Sequence, residues 1–311
     1  MPVYREGAHI VSILEQARDA VESSGMAHEF VLVDDGSPDD TWRILSEISS
    51  NFPNLAAVRL SRNFGKEAAL CAGIEMARGD AVIVMDADGQ HPISLIPEMI
   101  RQWVDSGAAI VEGVKASRGK ETTLNRVGAR LFYSTWTRLS GFDLTAASDF
   151  KLLDRRAVEA YLQMDERSVF FRGMTAWLGF ERKQIPFEVA GRAGGKSTWS
   201  IFRLFRLALT GITAFSALPL QLVTLAGFLF LLFALLFGAQ TLYVLIEGHA
   251  VSGFATIIFL LLIIGSALMI SLGIIGEYVA RIYEEVKGRP RFVVSESIQS
   301  RKKQGTLSRA E

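Results

Sequence analysis

Two long apolar runs dominate the C-terminal part of the chain. No charged residue lies between Arg206 and Glu247, and a second uncharged run covers residues 251–276. A helix needs about 20 apolar residues to cross the hydrocarbon core of a bilayer. We therefore predict two membrane-spanning helices, joined by a turn at Glu247-Gly248-His249. The alternative for these runs is a buried hairpin in a large soluble core.

The distribution of basic residues predicts how these helices are oriented. Lysine and arginine are absent from the turn, but they flank the outer ends, as at Arg203, Arg206, Arg281 and Lys287. Positively charged flanks stay on the cytoplasmic side of a membrane. We expect a multi-pass protein of the inner (cytoplasmic) membrane, with both termini and the N-terminal domain in the cytoplasm.

The segment before the first run has a different pattern. Between residues 196 and 216, Trp199, Phe202 and Phe205 recur at helical spacing, with Arg203 and Arg206 between them. Such a pattern is typical of an amphipathic helix lying in a membrane interface. A packed helix of the soluble core is the alternative.

Composition and motif searches narrow the possible functions. Lys and Arg number 33, as do Asp and Glu, so the zero net charge gives no support for a nucleic-acid partner. No Gly-x-Gly-x-x-Gly fingerprint of dinucleotide-binding folds is present. Residues 190–197, AGRAGGKS, nearly match a phosphate-binding P-loop, but they lead directly into the membrane-proximal segment. That position disfavours an ATPase.

Short apolar segments alternate with helical patterns in the first half of the chain. Segments 30–33, 55–60 and 81–85 are expected to be strands, and 8–24 and 66–77 helices. This alternation predicts an α/β fold with a mainly parallel sheet. In such folds ligands bind beyond the carboxyl ends of strands. Four acidic residues follow two of these strands: Asp34, Asp35, Asp86 and Asp88.

The second acidic pair has the chemistry of a metal site. Asp86 and Asp88 are separated by one residue, and Gln90 adds an amide oxygen. Mg²⁺ and Mn²⁺ prefer oxygen ligands and accept water and substrate phosphate as the remainder. A bound cation would neutralise a diphosphate leaving group. The same short pattern also occurs in many surface turns.

Basic side chains accumulate before and within the 190–197 loop. They are Lys115, Arg118, Lys120, Arg126, Arg130, Arg192 and Lys196. Arginine binds phosphate oxygens in a bidentate manner, so an anion near the membrane is a plausible partner. A solvated basic surface is the alternative interpretation.

Several motifs in fixed order carry a family resemblance. They are Pro2-Val3-Tyr4, Val33-Asp34-Asp35-Gly36-Ser37, Arg62-Asn63-Phe64-Gly65-Lys66, Asp86-Ala87-Asp88-Gly89-Gln90-His91-Pro92, Ser148-Asp149-Phe150-Lys151-Leu152-Leu153, Phe171-Arg172-Gly173, Gly195-Lys196-Ser197, Phe215-Ser216-Ala217-Leu218-Pro219-Leu220 and Gly276-Glu277-Tyr278. Together they resemble family 2 glycosyltransferases of the polyprenyl-phosphate type, a group that includes bactoprenol glucosyltransferases and dolichyl-phosphate mannose synthases. The two-span tail is most similar to the bactoprenol subgroup.

The resemblance implies a GT-A fold and inverting transfer of a sugar from a nucleotide sugar to polyprenyl phosphate. UDP-glucose and undecaprenyl phosphate are the substrates that the subgroup favours; GDP-mannose or an amino-sugar donor is the alternative. The product would be a lipid-linked sugar for cell-envelope glycosylation. We also expect a homo-oligomer. Two other hypotheses are an inactive membrane scaffold and a processive polysaccharide synthase, but the Gln-x-x-Arg-Trp motif of the latter is absent.

The resemblance also implies roles for individual residues. The active-site aspartate would be Asp149, and the metal, Mg²⁺ or Mn²⁺, would bind Asp88 and Gln90. The donor would contact Pro2, Tyr4, Asp34, Asp35, Lys66 and Asp86. The acceptor phosphate would contact Arg126, Arg172, Arg192 and Ser197.

The implied organisation has four parts. They are a cytoplasmic GT-A domain over 1–195, an interfacial helix over 196–216, a transmembrane hairpin over 217–281 and a cytoplasmic tail over 282–311. One departure concerns the first part: family members have an apolar strand before the Pro-Val-Tyr segment, which here begins at Pro2. We expect this difference to affect donor affinity and folding.

Overall fold

A computed structural model describes residues 1–115, 148–167, 169–187, 218–247 and 253–299. The chain divides into two compact units. The described part of the first comprises residues 1–115, 148–167, 169–187 and 289–299, and that of the second comprises 218–247 and 253–288. Several predicted features lie outside the described residues. They are the interfacial helix, the 190–197 loop with Arg192 and Ser197, and most of the basic cluster, including Arg126.

The first unit alternates strands and helices, as its sequence pattern predicts. Its described strands are β1 (Pro2–Val3), β2 (Phe30–Asp34), β3 (Leu55–Leu60), β4 (Ala81–Val84), β5 (Ile110–Lys115), β6 (Lys151–Asp154), β7 (Arg182–Phe187) and β8 (Val294–Gln299). Its described helices are α1 (Ile10–Glu22), α2 (Thr41–Ile48), α3 (Lys66–Met76), α4 (Ile96–Ser106), α5 (Arg155–Leu162) and α6 (Phe171–Trp177). In α1, Ile10, Leu14 and Ala17 are buried at the spacing of one helix face.

The described strands form two four-stranded sheets, in the orders β1-β2-β3-β8 and β4-β6-β5-β7. Pairing is parallel for β1–β2, β2–β3 and β5–β7, and antiparallel for β3–β8, β4–β6 and β5–β6. The α/β class is confirmed, but the sheets are mixed rather than mainly parallel. The reason is that β6 lies between β4 and β5 and runs against both, and that β8 adds an antiparallel edge.

β8 changes the expected organisation of the C-terminus. The sequence predicts that residues 294–299 belong to a tail, whereas in the structure they pair along most of β3, with Ala56 opposite Gln299 and Val58 opposite Ser297. The segment after the second apolar run therefore belongs to the first unit. Its pairing is made by backbone hydrogen bonds, which the polar sequence VSESIQ does not reveal.

An apolar cavity of about 460 Å³ is lined by residues of β2 and β4 and lies next to the start of β1. Met1 lines the cavity, and its ammonium group donates a hydrogen bond to the Val31 carbonyl over 2.9 Å. Burial lowers the pKa of this ammonium from 8.0 to about 5, partly opposed by the charge of Asp86. At neutral pH the folded chain thus holds a neutral amine where the unfolded chain carries a charge.

This cavity gives a stability prediction. Four apolar residues placed before Met1 would continue β1, fill the cavity and remove the buried amine. We expect the melting temperature of the full chain in detergent to rise by roughly 5–10 °C. The folded-state pKa of the amine is depressed, so the stability of a chain expressed with Met1 as its first residue should fall as pH decreases from 8 to 5, by up to roughly 4 kcal/mol. The extended chain should lack this part of the pH dependence.

The matched control is an extension of four charged residues, which cannot enter an apolar cavity. Differential scanning fluorimetry from pH 5 to pH 8 compares the three chains. Equal melting temperatures for the apolar and charged extensions would contradict this account of the cavity.

The second unit contains two long helices, α7 (Leu218–Ile246) and α8 (Phe254–Lys287). Each is long and apolar enough to cross a membrane, and the candidate spans, Val223–Gln240 and Ile263–Lys287, are 0% buried. A hairpin inside a soluble core would be buried, so the exposure favours the membrane interpretation. α8 continues 11 residues beyond the uncharged run, which ends at Gly276, and terminates at Lys287; the next residue, Gly288, has a φ of 62°.

Candidate active site

The carboxyl end of β2 carries a tight acidic turn. Asp34 ends the strand and is fully buried, and its Oδ1 accepts a hydrogen bond from the Ser37 N–H over 3.1 Å. Its Oδ2 lies 3.4 Å from Nε of Arg59. Burial raises the pKa of the Asp34 carboxyl, and the hydrogen bonds of Ser37 and the charge of Arg59 oppose the rise. Tyr4, which follows β1, is 40% exposed beside this turn.

Asp35 fixes the neighbouring loop. Its Oδ1 accepts from the Phe64 N–H over 2.7 Å, and its Oδ2 accepts from the Gly65 N–H over 2.9 Å. Gly36 permits this close approach: its φ is +65°, and a Cβ there would lie 2.5 Å from the backbone carbonyl carbon of Arg62. Asp35 therefore holds the loop that begins α3 and positions Lys66.

Four charged side chains from separate parts of the first unit form one ionic cluster. Nζ of Lys66 lies 2.7 Å from Oδ2 of Asp86 and 2.7 Å from Oδ2 of Asp149. Arg172 donates from Nε to Oδ1 of Asp149 over 2.7 Å and from Nη2 to Oδ2 over 2.8 Å. The structure thus brings together Lys66, Asp86, Asp149 and Arg172, and places Arg172 on the carboxylate of Asp149.

This cluster determines the charge state of Asp149. Burial by itself would raise the pKa of the Asp149 carboxyl, but the hydrogen bonds and charge of Arg172 and the charge of Lys66 hold it well below its usual range. Burial would likewise lower the pKa of Lys66, whereas Asp149 and Asp86 raise it. Asp149 is consequently a stable anion at neutral pH and a weak base.

A buried polar layer supports the cluster. Lys151 and Glu112 are 0% exposed and lie 3.2 Å apart, and Lys151 donates to Oγ1 of Thr175 over 2.8 Å. Glu112 also accepts from the Ser148 N–H over 3.0 Å. These bonds join β5, β6 and α6. They therefore fix α6, which carries Arg172, and the start of β6, which follows Asp149.

The Asp86–Pro92 loop is fixed by a histidine. Nδ1 of His91 accepts a hydrogen bond from the Asp86 N–H over 3.0 Å, and its ring stacks on Phe150 with centroids 5.0 Å apart. Burial lowers the pKa of His91, against the charges of Asp86 and Asp88, which favours a neutral ring able to accept this bond. The motif contains His91, but its spacing does not indicate this role.

Asp88 lies on the exposed part of this loop. Its Oδ1 accepts from the Gln90 N–H over 3.0 Å, and its Oδ2 accepts from Gln90 Nε2 over 2.9 Å. The Gln90 amide nitrogen therefore faces Asp88. Oδ1 of Asp86 is buried and has no hydrogen-bond partner among the residues that the structure describes.

These oxygens fit a divalent cation whose remaining ligands would come from the substrate and water. Within the described ranges no group of three or more His, Cys, Asp or Glu side chains is arranged to hold a metal. Mg²⁺, however, typically binds one or two carboxylates plus substrate phosphates and water. The accessible carboxylate of Asp88 and the unpartnered Asp86 oxygen suit such a site.

Comparisons with known proteins identify the family of the chain. Residues 1–162 match the family model described as glycosyl transferase family 2. The chain is 36% identical to an uncharacterized glycosyltransferase of Synechocystis, over 95% of this chain and 93% of the relative. It is 34% identical to a prophage-derived bactoprenol glucosyl transferase of Shigella flexneri, over 96% of both chains. A prophage bactoprenol glucosyl transferase homolog of Escherichia coli is also 34% identical, over 94% of this chain and 96% of the relative.

A solved structure is similar at lower identity. The mannosyltransferase PcManGT of Pyrobaculum calidifontis, in complex with GDP-Man and Mn²⁺, is 20% identical, covers 91% of this chain and 83% of its own, and has a TM-score of 0.47.

Proposed function

The chain belongs to glycosyl transferase family 2, and we propose that this glycosyltransferase transfers a sugar from a nucleotide sugar to polyprenyl phosphate at a membrane. The observation that carries the proposal is the ionic cluster of Lys66, Asp86, Asp149 and Arg172, at the ends of the elements that carry the acidic motifs. Glucose is the favoured sugar because a relative of nearly equal length is a bactoprenol glucosyl transferase. UDP is the nucleotide favoured by the resemblance to the bactoprenol subgroup.

The donor is proposed to bind along the turn after β2 and the loop after β4. Pro2, Tyr4 and Asp34 surround the first of these positions, where the buried Asp34 carboxylate can accept hydrogen bonds from a base or ribose. Asp35 stabilises this region by accepting hydrogen bonds from the Phe64 and Gly65 N–H groups. Lys66 and Asp86 then lie towards the diphosphate and sugar.

A divalent cation is proposed to bind Asp88 and Asp86, with Gln90 beside them. The charges in the ionic cluster balance, because the two cations Lys66 and Arg172 already neutralise the two carboxylates Asp86 and Asp149. A diphosphate leaving group therefore requires positive charge from another source. When bound, the cation supplies that charge as a Lewis acid.

Asp149 is proposed to hold Arg172 and Lys66 in position, not to remove a proton. The acceptor phosphate is already an anion at neutral pH, so a strong general base has little to do. By holding the guanidinium of Arg172 and the ammonium of Lys66 in place, Asp149 fixes two cations beside the reacting groups. Arg172, with Arg126, Arg192 and Ser197, is proposed to contact the acceptor phosphate. In-line attack opposite the departing diphosphate inverts the anomeric carbon.

The catalytic unit is proposed to face the cytoplasm, with the turn between α7 and α8 outside. The support is the distribution of lysine and arginine in the sequence. Cys71 is buried, so cysteines introduced elsewhere can be labelled against a low background. We expect Gly248→Cys to react with an impermeant thiol reagent in intact cells, and Lys120→Cys to react only after permeabilisation. The opposite pattern would reverse the proposed topology.

The proposed reaction can be tested with membranes that contain the chain. They are supplied with undecaprenyl phosphate and a panel of labelled nucleotide sugars, and lipid-soluble label is counted. We expect UDP-glucose to give the largest signal. A larger signal from GDP-mannose or an amino-sugar donor would keep the reaction but change the donor. No lipid-soluble label from any donor would favour an inactive scaffold.

A further inference from the structure

Arg59 links three parts of the first unit around the acidic turn. It lies on β3, where its side chain is 32% exposed. Its Nε is 3.4 Å from Oδ2 of Asp34, and its Nη2 donates to the Ser37 carbonyl over 3.2 Å. Its Nη1 donates to Oε1 of Glu296 over 3.1 Å. The guanidinium is thus held from three directions.

The contact to Asp34 involves the carboxylate oxygen that does not bond to Ser37. Asp34 is fully buried, and its Oδ2 has no hydrogen-bond partner among the described residues. The other oxygen, Oδ1, is already engaged by Ser37. A nearby guanidinium stabilises the ionised form of a buried carboxylate and fixes its direction.

Glu296 places this guanidinium from the far end of the chain. It lies on β8, directly opposite Arg59 in the β3–β8 register. Its second oxygen, Oε2, accepts a hydrogen bond from Nε1 of Trp42 over 2.9 Å. Both oxygens of Glu296 are therefore fixed, one on α2 and one on Arg59. Because Glu296 is already held by Trp42, its ion pair with Arg59 costs less conformational entropy than an isolated exposed ion pair.

We propose that Arg59 and Glu296 are positioning residues for the nucleoside end of the donor site, so that the strand following the apolar helices helps to build that site. The proposal rests on the proposed function, in which Asp34 contacts the nucleotide. It assigns a role in donor binding to a segment 237 residues away from Arg59 in sequence. Neither residue touches the substrate; both act by holding the carboxylate of Asp34.

Binding of UDP to the full chain in detergent tests the proposal, measured by isothermal titration calorimetry beside the melting temperature. Arg59→Leu removes all three contacts and should weaken UDP binding about tenfold, the size of a lost charge-assisted hydrogen bond. Arg59→Lys keeps the charge without the fork and should give an intermediate loss. Glu296→Gln should weaken binding about threefold, because Trp42 retains a partner while the ion pair is lost.

The matched control is Arg43→Leu. Arg43 also bridges two carboxylates, Asp40 and Glu47, but it makes no contact with Asp34. We expect it to leave UDP affinity unchanged. In transfer assays the Arg59 and Glu296 variants should raise KM for the nucleotide sugar and leave KM for polyprenyl phosphate unchanged, which a general loss of folding would not do.

The possible failures are distinct. If the natural chain binds neither UDP nor GDP, the proposed function is wrong, and this inference falls with it. If the natural chain binds UDP and Arg59→Leu and Arg59→Lys bind it within twofold of that value, the positioning role is wrong and the proposed function stands. A rise in both KM values that follows a lowered melting temperature would also overturn the positioning role.

Discussion

Replacing Asp149 by asparagine is expected to reduce turnover by about a thousandfold, the range seen when a charge-positioning group is removed from an active site. Asparagine has nearly the same shape, but its amide cannot balance the charges of Arg172 and Lys66, which lie 2.7 Å from the carboxylate oxygens. Its NH₂ group would also face one of these cations. Initial rates of lipid-linked sugar formation measure the effect.

The control for this change is Asp154→Asn. Asp154 also pairs with an arginine, Arg156, and its Oδ1 accepts from the Arg156 N–H at the start of α5, which an asparagine oxygen can still do. Only the bond from Trp103 Nε1 to Oδ2, which lies outside the ionic cluster, is lost. We expect its turnover to stay within about twofold of that of the natural chain. Equal turnover for Asp149→Asn and Asp154→Asn would contradict the role given to the ionic cluster.

The ionic cluster also defines the pH behaviour of Asp149. Its folded-state pKa is depressed, so its contribution to stability is fully present above the unfolded-state pKa of about 4 and is lost as pH falls through the lower folded value. Titration of this carboxyl should therefore leave no inflection in turnover between pH 5 and pH 9. A general base in that range would give one.

Replacing Asp88 by alanine is expected to lower turnover by roughly a thousandfold or more, because the diphosphate leaving group would lose its neutralising cation. Asp88 is exposed and bonds only within its own loop among the described contacts, to Gln90, so folding should be nearly unchanged. Adding a chelator to the natural chain should reproduce the loss, and added Mn²⁺ or Mg²⁺ should reverse it.

Asp105→Ala is the control for Asp88, because Asp105 is an exposed aspartate on α4. It should retain turnover and sensitivity to the chelator. Near-normal turnover of the natural chain in chelator would show that the charge on the leaving group is balanced without a metal.

The sequence predicts the parts of this molecule that depend on local pattern. Asp34 ends β2 and Asp86 follows β4 because short apolar segments define those strands. The two long apolar helices follow from composition and length alone. The sequence pattern does not show that β8 pairs with β3, because that pairing is made by backbone groups of a polar segment.

The partners within the site could not be predicted in this way. Lys66 and Asp149 are separated by 83 residues, and Arg172 lies 23 residues beyond Asp149. Such spacings carry no information on ion pairing, which depends on how β6 and α6 pack. The resemblance assigns Arg172 to the acceptor phosphate, and the structure adds a bidentate bond to Asp149 that the sequence does not indicate. The resemblance assigns Asp35 to the donor, and in the structure both of its oxygens accept hydrogen bonds from backbone N–H groups.

The central claim is transfer of a sugar to polyprenyl phosphate, and one measurement tests it most directly. The purified full chain in detergent is incubated with UDP-glucose and undecaprenyl phosphate, and the organic phase is examined by mass spectrometry. We predict a product with the mass of undecaprenyl phosphate plus one hexose, formed only when both substrates are present and nearly lost in Asp149→Asn. Release of UDP without any change in the mass of the lipid, for every donor tested, would contradict the claim.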